Sequence, residues 1–212
     1  MGTVFTEAAY GRPPVADGSI TVLPALRPEM HAVAAFAAHH VIAAAVDEEV
    51  VRQRLPKGDL GAPMSASFLL FLSGWLGAEP GTLDLVLAKT STLEEPAVEL
   101  CCREDLDDHP RVRRARRYRP EAVVYADREH GEPDGVLVVG QGVAGRWEMA
   151  FEVAPAARGR GLGRRLAAAA AAVVPDGEPV FAQVAPGNPS SVRACLAAGY
   201  VAIGAEVLFV VR

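Results

Sequence analysis

Between residues 147 and 185 the chain carries a pattern that admits few folds: a strand-like run, a turn rich in glycine and arginine, a helix without a polar face, and a second strand-like run. Trp147-Glu148-Met149-Ala150-Phe151-Glu152-Val153 alternates larger apolar residues with mostly polar or small ones, the period of a strand, and Pro155 stops it. Leu166 to Val174 is entirely Ala, Leu and Val, so this helix has to be buried against a sheet. Pro179-Val180-Phe181-Ala182-Gln183-Val184-Ala185 supplies the next strand. The spacing predicts a β-α-β unit whose crossover helix begins at the glycines, with a ligand at the carboxyl ends of the strands.

The turn itself, Arg158-Gly159-Arg160-Gly161-Leu162-Gly163, reads as a polyphosphate cradle. Glycine lets a bulky anion approach backbone N–H groups, and the first N–H groups of a helix are unpaired and carry its positive end. Arg158, Arg160, Arg164 and Arg165 in that turn oppose the helix dipole, each at roughly 0.3–1 kcal/mol, unless something negative arrives. A glycine-rich turn with solvated arginines is the plainer alternative. Two familiar nucleotide motifs fit poorly: the glycines are not spaced as G-x-G-x-x-G directly after the strand, and no G-K-[ST] follows.

The segment closely resembles the acetyl-CoA site of the GNAT superfamily of N-acetyltransferases. That family's first signature, a valine-ended strand and then [Q/R]-x-x-G-x-[G/A] opening a helix, is matched by Val153 through Gly163. Its second, an Asn followed by a short helix ending in Gly-aromatic, is matched by Asn188 through Gly199-Tyr200. Either alone is also an ordinary cap: Asn188-Pro189 suits an N-cap with proline at N1, and Gly199 suits a helix C-terminus.

The resemblance implies an α/β fold with a mostly antiparallel central sheet and a β-α-β cofactor unit flanked by helices. It implies acetyl-CoA as co-substrate, held by the amides of Gly159 to Arg164, with Arg158, Arg160 and Arg164 adding charge and Leu162 and Gly163 lying in the cradle. Val153 receives the pantetheine arm and acetyl carbonyl, Asn188 helps hold that arm, and the flanking strands splay. An amine acceptor attacks the thioester directly, a backbone N–H such as that of Val153 stabilising the developing oxyanion. Many relatives carry a tyrosine seven residues after the Asn as proton donor to the thiolate; here that position is Cys195. Cys195 is either that donor or a packing residue, and Tyr200 and Ser191 are substitutes off the matching position. Glu148 and Glu152 are the acidic residues on the strand, and Glu152 is the candidate base, the alternative being an amine that arrives already neutral through water and needs no dedicated base. Strand parity sets both on the face opposite Val153 unless a bulge inverts it.

A chain of 212 residues with 50% hydrophobic content can bury a full core. Its net charge of −5 disfavours nucleic-acid binding, and the basic run Arg111 to Arg119 reads as a solvated helix face. Cys101, Cys102 and Cys195 suit a reducing cytosol, no histidine spacing predicts a metal, and neither a secretion signal nor a membrane span is evident.

Residues 1–17 read as a flexible arm, 18–80 as a mostly helical segment and 81–212 as the GNAT-like domain. Within 18–80 a strand is expected at 19–24 and helices at about 28–45, 47–55 and 64–77. Helix is also expected from 94 to 118, broken near His109-Pro110 with Asp108 as cap, and the final strand run is expected to break at Gly204. The first 80 residues are open to a lid, a homodimer contact or a remnant acyltransferase half. The expected function is a cytoplasmic acetyl-CoA-dependent N-acetyltransferase acting on a primary amine of a small molecule or peptide. A non-catalytic acyl-CoA sensor is the alternative, and a nucleotide-dependent oxidoreductase is the third reading.

Overall fold

The computed structural model describes residues 1–91 and 98–211. In chain order its elements are α1 (Gly2–Ala9), β1 (Ile20–Leu23), β2 (Met30–Phe36), β3 (His39–Ala43), α2 (Glu48–Arg54), α3 (Ala66–Leu76) and β4 (Ala78–Thr90). There follow β5 (Cys101–Cys102), α4 (Pro110–Arg116), β6 (Val123–Ala126), β7 (Gly135–Gln141), β8 (Trp147–Val153), α5 (Leu162–Ala170), β9 (Pro179–Val184), α6 (Pro189–Ala197) and β10 (Val201–Val211). The fold is mixed α/β with mostly antiparallel strands. The chain divides into two compact units, residues 3–86 with those from Ile203 onward, and residues 87–202.

The first unit orders its strands β1-β3-β2-β10, parallel between β1 and β3 and antiparallel elsewhere. Its core gathers Val33, Ile42, Val51, Phe68, Leu72, Val207 and Phe209 from strands and helices alike. Residues 28–45 correct the expectation of a helix: they form the β2–β3 hairpin, so residues 18–80 are not mostly helical. Both strands are buried on both faces, and such strands show a continuous apolar run without alternation. Alanine propensity favoured the helix, and tertiary burial overrode it. The turn carries no Asn-Gly or Asp-Gly signal; Ala38 takes the left-handed conformation itself, at φ 51°. Ala38→Gly is expected to raise stability by about 0.5–1 kcal/mol, seen as a higher urea midpoint at unchanged slope.

Residues 1–17, expected to be an arm, contain α1, whose Phe5 is buried against Phe36. Gly204 does not break β10, which keeps register with β2 from Ala205 to Val210.

The second unit is a meander, β5-β6-β7-β8, antiparallel throughout, with β9 joined in parallel to β8. Helix α4 covers one face, where Val112 and Ala115 pack on Val124, Val136 and Val138. The other face receives α5, whose Leu162, Leu166, Ala167, Ala169 and Ala170 are buried. This helix stops at Ala170, four residues before the apolar run ends. A Cβ on its Gly163 would lie 3.1 Å from Phe151, so the helix approaches β8 closely only because that position is glycine. Residues 94–97 of the expected 94–118 helix lie outside the described residues, and 98–109 hold β5 and a short 3-10 turn instead. His109, not Asp108, caps α4: its Nδ1 accepts from the Arg111 N–H at 3.2 Å. Among the described residues no helix is long and apolar enough to cross a membrane.

Candidate active site

Strands β8 and β9 are in register only at Trp147↔Val180 and Glu148↔Phe181, and beyond these pairs they part. On its other side β8 stays paired with β7 to its end, where the Ala154 N–H donates to Asp134 O at 2.8 Å. Hydrogen-bonded pairs alternate along an antiparallel ladder, so Val153, one residue earlier, turns its N–H and C=O away from β7. Those groups face the opening, and the Val153 carbonyl already accepts from Arg158 Nε at 3.1 Å.

Helix α5 begins at the same opening. Gly161 is its N-cap, with φ 77°, and no side chain caps the helix. Its first backbone bond is from the Arg165 N–H to Gly161 O at 3.2 Å, so the preceding amides of the turn are left over. A cavity of about 650 Å³ lies against them. Glu152 and Val153 from β8, Arg158, Gly159, Gly161, Leu162, Gly163 and Arg164 from the turn, and Asn188 from the start of α6 line it. Asn188 also caps α6, its Oδ1 accepting from the Ser191 N–H at 3.2 Å. Arg160 is not among the lining residues; its carbonyl accepts from Arg165 Nη1 at 3.1 Å.

Two expected catalytic residues lie elsewhere. Cys195 is fully buried, and burial pushes its thiol up to about 12. Tyr200 is buried as well, donates its hydroxyl to Ala167 O at 3.0 Å, and is pushed well above the ordinary phenol value by burial and by the nearby Cys195. Neither lines the cavity. The α6 residues that do are Ser190, Ser191, Arg193 and Ala194. Cys195→Ala should therefore leave turnover unchanged. Because the folded thiol ionises near 12 and an ordinary one near 9.0, alkali ionises the unfolded chain first, and the thiol's contribution to stability is lost as pH rises across that interval. The variant is expected to lose stability less steeply above pH 9, by up to about 1.4 kcal/mol per pH unit.

Glu148 sits at the foot of the opening and is almost wholly buried. Its Oε1 accepts from the Val143 N–H at 3.1 Å, Arg146 Nη2 at 2.9 Å and Gln183 Nε2 at 2.7 Å, the last reaching across from β9. Arg119 Nη1 stands 3.8 Å from Oε2. This set of bonds ties Glu148 to the turn before β8 and to β9.

Arg111 escaped the sequence reading, which placed the whole basic run in solvent. Arg113, Arg114 and Arg117 are exposed, but Arg111 lines the cavity, 3.5 Å from Glu152, and Arg119 is buried. The available signal was spacing: Arg111 and Ala115 stand at i and i+4, on the stripe that α4 turns to the sheet, and Arg119 follows in the turn just past the helix.

A family model, that of the acetyltransferase (GNAT) family, matches residues 91–200, more than half of the chain. The chain belongs to the GNAT acetyltransferase family. Solved structures similar to it include a GCN5-related N-acetyltransferase from Kribbella flavida, at 17% identity and TM-score 0.46, covering 67% of this chain and 63% of that one. Another is a GNAT-family acetyltransferase from Colwellia psychrerythraea, at 12% and 0.44, covering 69% and 63%. A third, a GCN5-related N-acetyltransferase from Sphaerobacter thermophilus, has 19% identity and TM-score 0.44, covering 68% and 56%. The chain thus spans less than two thirds of the length of each of these three structures. No curated protein matches it.

The GNAT family generally uses acetyl-CoA, and the residues present fit its diphosphate. Uncapped amides at the mouth of α5 meet a cavity rimmed by Arg158, Arg164 and Arg193, which is the donor set a polyanion requires. Among the described residues no three His, Cys, Asp or Glu side chains are grouped to hold a metal ion.

Proposed function

We propose that this GNAT acetyltransferase transfers the acetyl group of acetyl-CoA to a primary amine of a small molecule or peptide. One observation carries the reading: the uncapped start of α5 and the unpaired edge of β8 open onto a single cavity. The amides from Gly159 to Arg164, with the guanidiniums of Arg158, Arg164 and Arg193, would hold the diphosphate, and Asn188 and Ser190 would border the pantetheine arm. Bound acetyl-CoA supplies an acyl thioester, the carbon that the amine attacks.

This chain's own groups do the rest. Glu152 presents a carboxylate to the cavity and takes the proton that the amine must lose. The Val153 N–H, turned into the opening, donates to the oxygen on which negative charge develops. The hydroxyls of Ser190 and Ser191 are the neutral donors near the opening, and solvent supplies the final proton, since Cys195 and Tyr200 lie in the core.

Free-thiol release from acetyl-CoA across a panel of amines tests this reading. Turnover with at least one amine, falling at least tenfold in Glu152→Gln, is expected. Tight CoA binding with no turnover on any amine would leave the non-catalytic sensor instead.

A further inference from the structure

In the first unit, the sheet face that packs on α2 and α3 is apolar, with an interruption at β3. Val22, Ile42, Val33 and Val207 stand side by side in register, and the next row on that face is Ile20, His40, Ala35 and Ala205. His40 is thus set at a core position, 6% exposed. Neither of its ring nitrogens has a hydrogen-bond partner among the described residues, and neither is sealed in by protein. His31, beyond Val33 on the same face, differs: its Nδ1 is enclosed without a partner. A cavity of about 320 Å³ reaches His40 and not His31.

The cavity follows from how the chain leaves α2. Leu55 is buried, and after it Pro56 and Gly58, the latter at φ 81°, turn the backbone. Asp59 Oδ1 accepts from the Gly61 and Ala62 N–H groups at 2.9 and 3.2 Å, so the loop is closed by its own bonds and leaves the space over His40 open. Ile20, Leu55, Leu60 and Pro63 give the cavity apolar walls, and Arg52, Lys57 and Asp59 are its charged lining residues. Two cations therefore meet one carboxylate, which the loop amides already engage. Arg52 is paired with Glu48, whereas Lys57 makes no ion pair among the described residues. Burial, and then the neighbouring His39, hold the His40 imidazole below its ordinary value, so near pH 7 it is neutral and offers one N–H.

We infer that this cavity is a second binding site, for a small monocarboxylate whose apolar body lies among Ile20, Leu55 and Leu60 and whose carboxylate is met by the His40 ring N–H and the Lys57 ammonium. The volume is at the lower end of small-molecule sites, which sets the ligand's size. An apolar body is needed because the walls would otherwise face water, and Asp59 opposes a second negative charge, which disfavours phosphate. The inference does not depend on the acetyl-transfer reading, since the two cavities share no lining residue.

Imidazole ¹⁵N–¹H NMR of the full chain reads the site directly, with monocarboxylates from butyrate to phenylacetate as probes, each beside its carboxamide. At least one acid is expected to shift the His40 signals saturably, with a dissociation constant of about 1 mM or lower, and to bind at least about tenfold more tightly than its amide. The signals of His109, whose ring caps α4 in the second unit, should stay in place. Lys57→Gln should remove the acid's advantage over the amide at an unchanged urea midpoint, because Lys57 is exposed. His40→Phe should abolish binding by filling the floor of the cavity; if that variant fails to fold, Lys57→Gln still decides. His40 signals that no acid moves, equal responses to acid and amide, or an undiminished preference in Lys57→Gln would overturn the inference. Shifts at His109 in place of His40 would put the anion at the arginine-rimmed cavity beside α5 and overturn it too. Acetyl transfer is judged separately, by thiol release.

Discussion

Gly161→Val is expected to abolish measurable acetyl-CoA binding, weakening it by at least about 100-fold in calorimetric titration. Two effects combine. At φ 77° a β-branched residue is strained, so the turn has to rearrange and move the amides it presents. An added side chain also projects from a residue that lines the cavity. Gly177→Val separates strain from site, because Gly177 has the same backbone conformation, φ 79°, has nothing within 4 Å of an added Cβ, and does not line the cavity. Both variants should lose a similar 1–2 kcal/mol, by the approximate cost of a left-handed non-glycine residue, and only Gly161→Val should lose CoA. Undiminished affinity in Gly161→Val would remove the cradle as the cofactor site.

Glu148→Ala should be the most destabilising single change in the second unit, costing about 3–5 kcal/mol and lowering Tm by about 10 °C. The substitution leaves Arg146, whose side chain is 1% exposed, and Arg119 facing each other without their shared anion, and strips Gln183 and the Val143 N–H of their acceptor. Glu148→Gln keeps an oxygen acceptor and should cost less. A loss under about 1 kcal/mol for Glu148→Ala in equilibrium denaturation would show that the arginines find other partners or water.

The sequence disclosed the second unit far better than the first, for a physical reason. Strands β7 and β8, helix α5 and helix α6 are bounded by glycine, proline and a capping asparagine, local signals that act on the backbone directly. Strands β2 and β3 have no such punctuation. Their alanine-rich run is apolar throughout because both faces are buried, and a period cannot be seen where every position is inside. Among site residues, those on the turn after β8 were legible because the glycines and Asn188 shape the backbone at the site itself. Arg111 and Arg119 were hidden among four other arginines of one run, and their inward orientation depends on where α4 lies against β8. Cys195 was read as either proton donor or packing residue because its place in a motif could not show which way the helix turns it, and the structure buries it.

The division of the chain bears on how the protein is made. The second unit is one uninterrupted stretch, whereas β2 of the first pairs with β10 from the far end of the polypeptide. At ordinary rates of translation about 170 residues, and so roughly 10–30 s, separate emergence of the two partners from the ribosome. During that interval β2 has its hairpin partner β3 on one side and an unsatisfied edge on the other, the arrangement that recruits strands from neighbouring nascent chains. Codon usage and chaperone occupancy between residues 87 and 202 therefore set how long the nascent first unit is exposed to that risk.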